Sequence, residues 1–126
     1  MVSGLAQIRI AVGAEADLHG IWRRRRAQRG AEGDDGADAL LDRLVAAIET
    51  LAEHPRRGAV PPELDALGIH DYRQLSLPPF RLIYLVEEES LGGKNRQDAT
   101  LVTILIVADA RRDFRTLLQE RLLSGR

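Results

Sequence analysis

The stretch Asp71–Val86, DYRQLSLPPFRLIYLV, decides the fold. Tyr72 to Leu77 reads as one strand, Pro78-Pro79 as a turn, and Phe80 to Glu87 as a second strand. In the second strand Phe80, Leu82, Tyr84 and Val86 share one face, while Arg81, Ile83 and Leu85 share the other. Downstream, Glu87-Glu88-Glu89 and the polar stretch Ser90 to Thr100 read as a loop, long for a hairpin and expected to be flexible over 88–100. Leu101 to Val107 (LVTILIV) is apolar on both faces, as a central strand should be. The three strands are expected to form an antiparallel meander. A last helix follows from about Ala110 to Leu123, with Phe114, Leu117, Leu118 and Leu122 as its buried stripe.

Upstream, Gln7 to Val12 alternates Ile8, Ile10 and Val12 with Gln7, Arg9 and Ala11, the period of a strand with one buried face. A helix is expected from about Ala14 to Gln28, with Leu18, Ile21 and Trp22 on one stripe. Gly30 to Gly36 reads as a turn, after which Asp35 or Asp38 could cap the next helix. That helix carries Leu40, Leu41, Leu44, Val45, Ile48, Leu51 and Ala52 at helical spacing and stops at His54-Pro55. Two helices joined by a short turn should pack as an antiparallel hairpin. Residues 55–70 read as a surface connection with one helical turn at Glu63 to Leu67. The order is β-α-α-β-β-β-α. It predicts one α+β domain over 1–126, two-layered, with helices on one face of an antiparallel sheet.

Composition narrows the function. The chain has 126 residues, 44% hydrophobic and 29% charged, an ordinary globular balance. With 18 basic and 19 acidic side chains its net charge is −1, which excludes a strongly basic nucleic-acid coat but not a local basic patch. Cysteine is absent, which excludes thiol catalysis and cysteine-ligated metal. No apolar run is long enough to span a membrane and no signal peptide precedes the first strand, so a cytoplasmic location is expected. Lys94 is the one lysine among the 18 basic residues, which reads as genome bias rather than guanidinium chemistry.

No metal or cofactor is expected. His19, His54 and His70 lack ligand spacing, and Gly92-Gly93-Lys94 lacks the rest of a phosphate loop. Arg23 to Arg26 cannot share one helical face; they read as a solvated helix end, or as a docking patch for an acidic partner or phosphate. Arg73 and Arg81 lie on strands, where a charge needs an open face or a buried partner. Arg111 and Arg112 lie where the last helix is expected to begin, opposing its dipole. Structural pairing, for instance of Arg81 with Asp71 or Glu87, and a functional cluster both remain open for these four.

The element order, the run Asp71 to Val86 with its Arg81-Leu82-Ile83-Tyr84 core, and the closing ILIVADARRDFRTLLQERL (Ile104 to Leu122) resemble the ParE/RelE superfamily of type II toxin–antitoxin toxins. LAEHPRRGAVPPEL (Leu51 to Leu64) resembles its Pro-x-x-Gly loop. The resemblance implies a bacterial toxin neutralised by a cognate antitoxin encoded by an adjacent gene, with DNA gyrase or the ribosome and its mRNA as target. RelE-like members cut mRNA with a basic cluster and often a late tyrosine. Arg81 matches the strand arginine of that pattern and Arg111 or Arg112 its late basic position. No tyrosine follows Tyr84, Phe114 cannot carry protons, and Arg56-Arg57 replace the lysine-rich stretch. Arginine stabilises charge but is a poor proton carrier. The departure favours a ParE-like gyrase poison over a ribosome-dependent mRNA endonuclease. A binding module with structural arginines is the third reading. The toxic surface is expected at Arg81, Arg111, Arg112 and Arg73. Trp22, beside Leu18, is either an antitoxin anchor or a core tryptophan. A homodimer and a toxin–antitoxin hetero-oligomer are both open.

Overall fold

The alternation in Phe80–Glu89 and the all-apolar run within Ala99–Asp109 make these the two inner strands of a sheet. The computed structural model describes residues 5–89 and 99–123. Its elements are β1 (Gln7–Ile10), α1 (Val12–Arg29), α2 (Ala37–Glu49), a 3-10 turn (Thr50–Ala52), α3 (Pro62–Asp65), β2 (Tyr72–Leu77), β3 (Phe80–Glu89), β4 (Ala99–Asp109) and α4 (Phe114–Leu123). The sheet order is β1-β4-β3-β2. β2, β3 and β4 form the expected antiparallel meander, turning between β2 and β3 at Pro78-Pro79.

β1 corrects the expectation of a wholly antiparallel sheet. It adds in parallel beside β4, Gln7 opposite Leu101 and Ile10 opposite Ile104, so the sheet is mixed. The strand ends at Ile10 and the helix starts at Val12, two residues earlier than expected, because the Ala11 carbonyl already accepts the first helical bond, from the Glu15 amide.

Side chains of β3 alternate between two cores. Leu82, Tyr84 and Val86 pack with Leu18 and Ile21 of α1 and Leu40, Leu44 and Ile48 of α2. Ile83 and Leu85 pack with Leu64 of α3 and Phe114, Leu117 and Leu118 of α4. The helical hairpin therefore covers one face as expected. The other face is covered as well, because β4 is apolar on both sides and needs burial on both. A bulge helps: Ile83 lies opposite Ile106 and Tyr84 opposite Ile104, leaving Leu105 as the extra residue.

Local signals explain the remaining boundaries. Gly30 ends α1 at φ 78°, a left-handed value that glycine adopts without strain. The N-cap of α2 is Gly36, without a side-chain cap. Neither expected aspartate caps it, because Asp35 binds Arg25 and Arg29 while Asp38 accepts from Trp22. The helical turn in the connection begins at Pro62 rather than Glu63, since proline suits a first helical position. Strand pairing also runs further than expected: Glu87, Glu88 and Glu89 lie opposite Leu101, Thr100 and Ala99. The ends of the expected loop are thus strand, and the rest of it, 90–98, lies outside the described residues.

Candidate functional site

Arg81 lies on the β3 face that meets α3 and α4. Its Nη1 and Nη2 donate to the two Glu63 carboxylate oxygens at 2.9 and 2.6 Å, and its Nε donates to Gln74 Oε1 at 2.6 Å. The guanidinium sits 4.3 Å from the centre of the Phe114 ring. This fork geometry is the strong form of an arginine–carboxylate pair. The hydrogen bonds from Arg81 hold the Glu63 carboxyl below its ordinary range, against the opposing effect of burial. The structural carboxylate is thus Glu63, not Asp71 or Glu87.

Arg73 is also occupied. Its Nη1 donates to Gly58 O at 2.8 Å and Arg56 O at 3.2 Å, tying the connection to β2. Beside it, Tyr84 is 0% exposed and its hydroxyl accepts from the Gly58 amide at 3.0 Å. Burial pushes the Tyr84 hydroxyl above its ordinary value, partly offset by the Gly58 amide and by Arg73, Arg57 and Arg56. Arg56 pairs with Glu88 at 2.9 Å, and Arg57 donates to Thr50 Oγ1 at 2.7 Å.

Arg111 and Arg112 lie in the turn after β4, outside any helix, because α4 begins only at Phe114. The expected conflict with the helix dipole does not arise. Asp113 stands before the helix and accepts from Thr116 N and Oγ1, which lowers its pKa. Arg111 folds back on Asp109, donating from its amide, Nε and Nη2 at 2.9–3.0 Å, yet its side chain is 90% exposed. These bonds hold the Asp109 carboxyl at about 2. Arg112 is exposed. The structure does not gather Arg81 with Arg111: Arg81 lies over Phe114 on one face, while Arg111 lines a cleft with Ile21 and Phe80 on the other.

A groove of about 740 Å³ runs along the helical hairpin, lined by Ile10, Val12, Leu18, Trp22, Leu41 and Val45 among others. Trp22 is half-buried at its wall; its Nε1 donates to Asp38 at 2.8 Å, and the Arg26 guanidinium lies 5.3 Å from its ring centre. Leu18 is buried beneath it, whereas Val12 is 80% exposed. The arginine run divides as helical rotation requires: Arg25 turns to Asp35, Arg26 to Trp22, and Arg24 to the cleft shared with Arg111.

Among the described residues no three His, Asp or Glu side chains converge as metal ligands, and no helix is long and apolar enough to cross a membrane. Glu63 escaped the sequence reading because its partner lies 18 residues away across an irregular connection. The Asp113-x-x-Thr116 cap was visible in the sequence and would have moved the start of α4.

A family model described as the ParE toxin of a type II toxin–antitoxin system, parDE, matches residues 8–114. Among solved structures, the chain is similar to one described as a chromosomal ParDE TA system from P. aeruginosa. Identity is 21% and the TM-score 0.59, over 85% of this chain and 98% of that one. No curated protein matches.

Proposed function

The chain belongs to the ParE toxin family of type II toxin–antitoxin systems, and from that premise we propose that it arrests growth in the cytoplasm by binding DNA gyrase rather than by cutting RNA. One observation carries the choice. The two strand arginines that an RNA-cleaving site on this sheet would use are held by the protein's own groups: Arg73 by main-chain carbonyls and Arg81 by Glu63. Metal-free RNA cleavage also needs an acid and a base. Tyr84 is buried, and its pKa is shifted away from neutrality.

The toxic surface then reduces to groups that face outward, Arg111 and Arg112, with Arg81 and Arg73 holding the sheet and connection behind them. The partner in the resting state is a cognate antitoxin from an adjacent gene, forming a hetero-oligomer. Its tail fits the apolar groove of the helical hairpin, with Trp22 as anchor and Leu18 as floor.

Induction of the toxin without antitoxin tests the target. The expected result is an SOS response with impaired supercoiling by gyrase. Rapid codon-specific mRNA cleavage on ribosomes, with gyrase unaffected, would overturn the reading.

A further inference from the structure

At the Pro78-Pro79 end of the molecule two concavities lie side by side, of about 250 and 340 Å³. They share Arg25, Leu40, Pro79 and Phe80 as common walls, so together they form one trough. Arg43 of α2 stands in one part, Arg24 of α1 and Arg111 of the β4–α4 turn in the other. The joint lining holds four arginines, of which Arg25 is paired with Asp35 and Arg111 with Asp109, while Arg24 and Arg43 have no carboxylate partner among the described residues. In a chain of net charge −1, two uncompensated guanidiniums beside two paired ones make a local positive field. Arg24, Arg43 and Arg111 are exposed, and Arg43 bonds a main-chain carbonyl, Asp34 O, at a marginal 3.4 Å. Leu40, Pro79 and Phe80 give the trough an apolar floor.

We propose that this trough binds the phosphodiester backbone of duplex DNA. Planar guanidiniums at the rim suit phosphate oxygens as bidentate donors, while the apolar floor faces the sugars. The trough gathers arginines from three separate elements, α1, α2 and the β4–α4 turn, which a single free phosphate does not need. The choice of DNA as the source of the phosphates rests on the gyrase reading, since gyrase presents the toxin with bound duplex. The contact itself is independent of gyrase.

The test uses the purified full-length toxin and a fluorescent duplex DNA, titrated at several salt concentrations without gyrase. The expected result is binding whose log affinity falls linearly with log salt. The variant Arg24→Ala/Arg43→Ala/Arg111→Ala should flatten that slope by about 0.9 for each phosphate left without its arginine and weaken low-salt binding at least about tenfold. All three side chains are exposed, so circular dichroism should show the fold retained. Arg23→Ala/Arg115→Ala, exposed arginines outside the trough, should bind as the parent does. Absent DNA binding, or equal weakening in both variants, would overturn the proposal. So would tighter binding of single-stranded RNA, of an acidic peptide of matched charge, or of inorganic phosphate. Supercoiling assays on Arg24→Ala/Arg43→Ala, which leaves Arg111 and Arg112 in place, report separately on gyrase, so either reading can fail alone.

Discussion

Asp17 on α1 and Arg121 on α4, 104 residues apart, meet at 2.6 Å beside β4 where β1 has run out. The last β1–β4 pair is Ile10 with Ile104. Just past it lies the Leu105 bulge. There Asp17 accepts from the Val107 amide at 3.0 Å, and Arg121 donates to Leu105 O at 2.8 Å. The ion pair therefore takes the place of a strand, satisfying the edge that would otherwise invite another chain. It also joins helices that cover opposite faces of the sheet.

Arg121→Ala should accordingly lower stability in urea by about 2–3 kcal/mol, since it leaves a mostly buried Asp17 charge and a strand carbonyl without partners. Removing both partners should cost less than the sum of the single losses, giving a coupling of about 1 kcal/mol or more in a double-mutant cycle. Additive losses would mean that the pair is a bystander. Faster amide exchange confined to α4 should accompany the single change.

The Glu63–Arg81 pair predicts a pH dependence. The folded pKa of Glu63 is depressed below its ordinary 4.5, chiefly by the Arg81 hydrogen bonds. Its contribution is therefore full above the unfolded value and is lost as pH falls through the folded one. Glu63→Gln should cost about 1–2 kcal/mol near neutrality, a partly exposed pair being worth less than a fully buried one. The difference between parent and variant should shrink as the medium is acidified below about pH 4. Asp109 and Asp113 titrate in both proteins and cancel. A gap independent of pH would show that the substitution disturbs packing rather than charge pairing.

Local periodicity made most of this fold legible. Alternation in Phe80 to Val86 and the two-sided run Leu101 to Val107 give the inner strands without help from other segments. The parallel direction of β1 was not legible, because four residues carry no mark of which way their neighbour runs. The second helical layer could have been inferred from the outer apolar side chains of β4, which need a cover. Site pairing was harder. Glu63 reaches Arg81 from a four-residue helix, and Arg24 meets Arg111 only after the sheet closes. Such contacts depend on tertiary register, which spacing along the chain does not encode.

The hairpin groove gives a prediction that separates binding from folding. Val12 is 80% exposed at the groove, so Val12→Asp should leave the stability of the free toxin within about 0.5 kcal/mol. It should weaken antitoxin binding measurably by titration calorimetry. Trp22→Ala should cost about 2 kcal/mol or more of antitoxin affinity while the toxin stays folded, since half-burial places the ring at the wall. Unfolding of the free Trp22→Ala protein would make it a core residue. Unchanged affinity in both variants would move the antitoxin elsewhere.

Tyr84 gives the sharpest separation of the two toxin chemistries. Its ring is fully buried, and its hydroxyl accepts the Gly58 amide. Gly58 must come this close: a Cβ there would stand 2.3 Å from Gln74 O and 2.9 Å from the Tyr84 hydroxyl. Tyr84→Phe keeps the ring and removes the acceptor, leaving a buried amide unpaired at a cost of about 1–3 kcal/mol. Gly58→Ala should be at least as damaging, because the neighbouring Gln74 O is strand backbone and cannot yield. If the protein acts by binding gyrase, Tyr84→Phe should lose stability in a thermal melt and still arrest growth at permissive temperature. If Tyr84 instead supplied the proton for RNA cleavage, the same variant would lose toxicity while folded. Stability and growth arrest measured on one variant at one temperature therefore decide between a hydroxyl that holds the connection in place and one that does chemistry.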